Sequence, residues 1–218
     1  MTAVTVLALP GCSADTTEAK PASARSGKPT TADQNDAPLS SPALEERLLD
    51  VSDLGSGYTR KPERPAQHDD ITVLGCPALN DLGGDAATGG SLDFPRQAKA
   101  TFTYGDGSDS EVAEELYSDT AGKLSAGTGR IFDAMTGCPE YQILVGGTVI
   151  DMGTEKTSAP ELGDEQWSQL LTYSAGGQRS LVKQMAIRTG NILMIVSGSP
   201  GLVDTHLDKA LAKARAAH

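Results

Sequence analysis

The 218-residue chain carries 29 acidic against 18 basic side chains, a formal net charge of −11. That surplus repels phosphate backbones, so nucleic acid is excluded as a natural partner, and anionic lipid offers no direct attraction. No apolar run reaches the roughly twenty residues of a membrane-spanning helix.

The first element is the apolar run Val4 to Leu9 in "VTVLALPGCS". A buried strand is one reading, but Pro10, Gly11 and Cys12 follow at once, and then a long polar stretch. "LPGC" instead sets Leu9, Gly11 and Cys12 as in a bacterial lipobox, where small Gly11 admits the signal peptidase and Cys12 takes the lipid. Pro10 is unusual in that motif and no Lys or Arg precedes Val4; a start upstream of Met1 accounts for the missing basic region. Residues 1–12 are therefore expected to be a signal-peptide remnant, with diacylated Cys12 anchoring the protein to the extracytoplasmic face of the cell membrane.

Residues 13–42 hold mostly Ser, Thr, Ala, Pro, Asp and Lys, with Leu39 the one large aliphatic. Such a stretch cannot bury enough apolar area to offset its ordering entropy, and reads as a disordered, flexible tether. Its charges nearly cancel, so the acidic excess belongs to the domain that follows, residues 43–218. That length suits a single core.

Ser41 and Pro42 open a short helix with Leu44, Leu48 and Leu49 on one face, broken at Gly55 and Gly57. A polar loop leads to a short strand, "ITVLGC", and a brief helix from Pro77 that stops at Gly83. The run "GGDAATGGS" is a mobile connection; it lacks the Lys-Ser/Thr ending of a phosphate loop. In "AKATFTYG", Ala98, Ala100 and Phe102 alternate with polar residues as in a half-buried strand, and "EVAEELYS" pairs with it, Val112 and Leu116 inward. The acidic turn between them lacks the bidentate Glu of a calcium loop. A helix follows, capped by Ser118 or Asp119, with Leu124, Ile131, Phe132 and Met135 at helical spacing; Gly127 and Gly129 weaken its middle and Gly137 ends it.

Three more strands, "YQILVG", "GTVIDMGT" and "WSQLLTYSA", lead to two apolar runs joined by Gly190-Asn191, a dipeptide suited to a tight hairpin. The end is an amphipathic helix with Leu202, Val203, Leu207, Ala210 and Leu211 in one stripe. One-sided strands with separate helices predict an α+β domain: one antiparallel sheet with helices packed on one face.

Cys76 and Cys138 form an even pair in an exported chain and are expected to make a disulfide. His68, His206 and His218 are scattered without ligand spacing, so no metal and no cofactor is expected. There is no G-x-S-x-G elbow and no H-E-x-x-H helix. His206 reads as a partly exposed helix residue rather than a general base, and Asp119 and Asp133 as a solvated face.

Several stretches together resemble the PknH-like extracellular sensor domain family of actinobacteria: "LEERLLDVSDL", the cysteine after a short strand, "EVAEELYSDTAGKLSAGTGRIFDAMTGCP", and "IRTGNILMIVSG" with the terminal helix. That family occurs as the outer domain of membrane serine/threonine kinases and as free-standing lipoproteins. The resemblance implies a cleft for an extracellular ligand; the kinase sensor's two disulfides, against one here, prevent transfer of cleft residues. The expected protein is a lipid-anchored, sensor-like domain that binds an extracellular ligand or envelope component and catalyses nothing. An envelope hydrolase with a dispersed site, or a structural interaction protein, are the alternatives. For ligand contact the sequence offers the "LGGDAATGGSLDF" and "PELGDEQW" loops, each setting an aromatic, Phe94 or Trp167, beside polar groups; the alternatives are tolerant surface loops and, for Trp167 at the start of a strand, packing.

Overall fold

The computed structural model describes residues 37–63, 71–83, 94–105 and 110–216, all within one compact unit. Cys12, the signal segment and the tether up to residue 36 lie outside the described residues, as does most of the first expected contact loop.

In chain order the elements are α1 (Ser41–Glu45), α2 (Val51–Leu54), β1 (Tyr58–Arg60), β2 (Ile71–Leu74) and α3 (Pro77–Leu82). Then come β3 (Gln97–Tyr104), β4 (Glu111–Ser118), α4 (Ala121–Gly137), β5 (Glu140–Val145) and β6 (Thr148–Lys156). Finally come β7 (Glu165–Ala175), β8 (Gln178–Thr189), β9 (Ile192–Gly198) and α5 (Pro200–Ala214). The nine strands among the described residues form one antiparallel sheet in the order β1-β3-β4-β9-β8-β7-β6-β5-β2. Strands β5 to β9 are a meander, and the β4–β9 pairing joins it to the β3–β4 hairpin.

The α+β class and the antiparallel sheet are as the sequence predicts. The helices are spread more widely than a single layer. On one face α5 and α1 cover Phe102 of β3, Leu116 of β4, Met194 of β9 and Met185 of β8. On the other, α4 covers Tyr117, Leu193, Ile195 and Ala186, then continues with α3 over Tyr141, Met152 and Leu171. The reason is in the strands themselves: "MAI" in β8 and "ILMIV" in β9 are apolar on both sides, and each side needs a cover.

Local chemistry accounts for most boundaries. The first helix begins one residue earlier than expected, its N-cap Ser40 accepting from the Ala43 N–H, and Asp50 caps α2 through a reciprocal box with Asp53. Gly83 ends α3 with φ of 95°, a conformation costly for any side chain bearing a Cβ. Gly127 has a packing role inside α4: a Cβ there would lie 2.8 Å from the Phe94 ring.

Ala37 to Pro42, assigned to the tether by composition, dock on the domain. The Leu39 N–H donates to Ser118 Oγ at 2.8 Å, Asn191 donates to the Ala37 carbonyl, and Leu39 packs on the core. Their backbone finds partners that polarity alone does not reveal. The Cys76–Cys138 disulfide is present, with Cα atoms 5.8 Å apart, and ties the start of α3 to the end of α4.

Candidate functional site: an open half of the sheet face

Strand register places three rows of side chains on the face that α5 covers elsewhere. The first row reads Leu74, Gln142, Asp151, Ser174 and Arg179 across β2, β5, β6, β7 and β8. The second reads Glu140, Gly153, Thr172 and Leu181 across β5 to β8. The third reads Glu155, Leu170 and Lys183 across β6 to β8. Cover ends at Lys183, whose ammonium meets Asp204 of α5 at 2.5 Å. Beyond that pair the sheet forms an open concavity of about 900 Å³ lined by these rows, within the size range of small-ligand sites.

Gly153 is the floor. It has no side chain, and Asp151 and Glu155 flank it at i±2 on the same strand face, with Glu140 opposite on β5. Gln142 donates to Asp151 at 2.7 Å, fixing one carboxylate. The apolar part is unusual for a solvent face: Leu74 is 45% exposed, Leu181 49%, and neighbouring Val149 48%.

Other polar clusters hold the fold together. Glu114 of β4 is buried under α1 and α2; its Oε2 accepts the Leu49 N–H at 2.6 Å, and burial pushes its pKa up to about 7. Tyr58 Oη and His206 Nε2 lie 2.6 Å apart, joining β1 to α5. Burial lowers the histidine and raises the tyrosine, so both stay neutral near pH 7. His206 is thus buried, not partly exposed, because β1 folds back over it. Lys213 bridges Asp50 at 2.8 Å and also Asp53, and its hydrogen bond holds Asp50 well below the usual carboxylate range. Arg188 pairs with Asp164 and Glu165, at 3.1 and 3.0 Å. Among the described residues no three His, Cys, Asp or Glu side chains gather to hold a metal.

Phe94 and Trp167 lie on the opposite, α4-covered face. Phe94 meets Tyr117 edge-on at 5.9 Å and Trp167 stands 6.1 Å from Phe132, both half-buried at the margin of one apolar cluster. Neither lines the concavity. The sequence reading missed Glu140, Gly153, Leu74 and Leu181; the signal for the leucines is large apolar residues on both faces of β2, β6 and β8, which becomes a patch only once register is known, and nothing local marks Glu140 or Gly153.

No family model matches the chain, and no curated protein is similar to it. Among solved structures, the extracellular domain of PknH from Mycobacterium tuberculosis superposes with a TM-score of 0.61 at 13% identity, over 82% of this chain and 98% of that one. The chain shares that fold. At this identity the likeness speaks for architecture, and the groove residues stand on this chain's own geometry.

Proposed function

We propose that the protein is a sensor-like, ligand-binding domain of the extracytoplasmic face, held to the membrane by a lipid on Cys12 and free of catalysis. The observation that carries the binding reading is the concave sheet face of about 900 Å³, left open where the rest of the same face is sealed by α5. Likeness in fold to an extracellular domain supports the location. The two best-placed titratable pairs, Tyr58–His206 and Arg188 with its acids, join elements of the fold and do not face the groove, which favours binding over turnover.

The test uses the isotope-labelled domain with fractionated cell-envelope extract. A binding fraction shifts the amides of Gly153, Thr172 and Leu181 in the groove. Shifts at Phe94 and Trp167 instead would move the site to the α4 face, and product formation from the fraction would replace binding by catalysis. For the anchor, Cys12→Ser should release the protein from membranes; undiminished membrane association in that variant removes the lipid.

A further inference from the structure

We propose that the groove selects an amphiphile with a cationic head, an ammonium or guanidinium, on an apolar body; this rests on the groove being the ligand site. The order of the rows sets this preference. Among the described residues three carboxylates stand around the glycine floor, Glu140, Asp151 and Glu155, against one base in the lining, Arg179. Arg179 is two strands from Asp151 in their shared row, roughly 10 Å at ordinary strand spacing. The carboxylates therefore cluster over β5 and β6, and among the described residues none of the three forms an ion pair, Asp151 accepting only from Gln142. Lys183, the next base on this face, is engaged by Asp204 at 2.5 Å.

The apolar surface lies on either side of that floor. Leu181 and Leu170 continue the second and third rows toward β8, and Leu74 closes the first row at the β2 edge. A head group over Gly153 comes near three carboxylates at once, and an apolar tail running toward β8 covers Leu181, otherwise 49% exposed. Among the described residues an anionic head in the same place meets three like charges and one more distant base, Arg179. A compact metal ion is a poor occupant, since no metal-holding cluster forms among the described residues. Gly153 makes the approach possible, and the backbone does not require a glycine there: a Cβ would meet Thr172 Cβ at 3.5 Å, an ordinary contact.

Three probes of one chain length separate charge from apolar burial: octylammonium, octyl sulfate and octyl glucoside, below their micelle concentrations, with the amides of Gly153, Thr172 and Leu181 as readout. Octylammonium should bind about tenfold more tightly than octyl sulfate, the effect of roughly one favourable charge contact. The triple variant Glu140→Gln, Asp151→Asn, Glu155→Gln changes only exposed side chains and should erase the gap. Gly153→Val should fill the floor and abolish octylammonium binding. Equal affinity for the two ions, tighter sulfate binding, or a cation preference that survives the triple variant overturns the proposal. If the sulfate or glucoside occupies the groove as well as the ammonium does, the charge assignment fails and the ligand groove stands. If neither the probes nor any envelope fraction moves groove amides, the groove reading falls with it.

Discussion

One face of one sheet is used in two ways. Over β3, β4, β9 and β8 it presents Phe102, Leu116, Met194 and Met185, all at most 1% exposed beneath α1 and α5. Over β5, β6 and β7 the same face presents Glu140, Asp151, Gly153 and Thr172, with no helix above them among the described residues. The backbone pairing is continuous across the boundary at β8, so hydrogen bonding cannot explain the difference. Cover explains it: a sealed position selects apolar volume, and an open one leaves polar and charged side chains in water.

The strongest way to break this comparison is through the disulfide, which links the α3 end beside the open-half edge strand β2 to α4. It closes a loop with a sequence separation of 62, and the chain-entropy relation assigns it about 4 kcal/mol. Reduction, or Cys138→Ser, should lower the melting temperature markedly. Hydrogen exchange should rise first in β2 and β5, while β4 and β9 stay protected; uniform loss of protection would show that the halves do not differ in this respect.

Side-chain truncation sharpens the contrast. Leu116→Ala, on the sealed half, should cost about 3 kcal/mol. Leu181→Ala, on the open half, should stay within about 0.5 kcal/mol by denaturant unfolding. Similar costs at both positions would mean that the open half is covered in solution.

Acid provides a third probe of the sealed half. Glu114 has its folded pKa raised to about 7 from 4.5 by burial, so the folded state holds a proton that the unfolded state releases. Its contribution is full below the unfolded value and is lost as pH rises through about 7. Between pH 5 and pH 8 this amounts to about 2 kcal/mol, read as the difference between wild type and Glu114→Gln. Subtraction is needed because His206, lowered by burial, acts in the opposite sense: its contribution fades as pH falls through 6.5. Lys213, which favours the ionised carboxylate, and Asp53, which opposes it, are also near Glu114, and they stay charged through this window. An unchanged difference from pH 5 to pH 8 would show that Glu114 does not titrate there.

The smallest expected effect is at the boundary itself. Removing the Lys183–Asp204 pair by Asp204→Ala should cost about 0.5 kcal/mol, since Asp204 is 59% exposed. A loss of several kcal/mol would make that pair a structural seal.

Much of the local structure is written in short stretches. Gly190-Asn191 turns the β8–β9 hairpin, Gly83 stops α3, and the alternation of Ala98, Ala100 and Phe102 predicts the inward face of β3. The terminal stripe of Val203, Leu207, Ala210 and Leu211 is buried as its spacing requires. These features depend on neighbours within a few residues, where φ/ψ preference and side-chain period act directly. Glu114 was not legible in this way: a glutamate in "EVAEELYS" reads as solvent-facing by composition, and only the α1–α2 segment arriving from elsewhere buries it. Trp167, which at the start of a strand reads first as a packing residue, does pack near Phe132.

Short-range pattern is enough for the antiparallel α+β class, most elements, the apolar positions of the sealed half and the cysteine pair. Tertiary structure alone decided that the helices divide between two faces and that the cover stops at Lys183. It also decided that Leu74 and Glu140, far apart in the chain, line one concavity with Gly153. The physical reason is that local preference sets which way a side chain points along its own strand. Register between strands such as β2 and β5, and the reach of α5 over the sheet, depend on long-range pairing that no single stretch encodes.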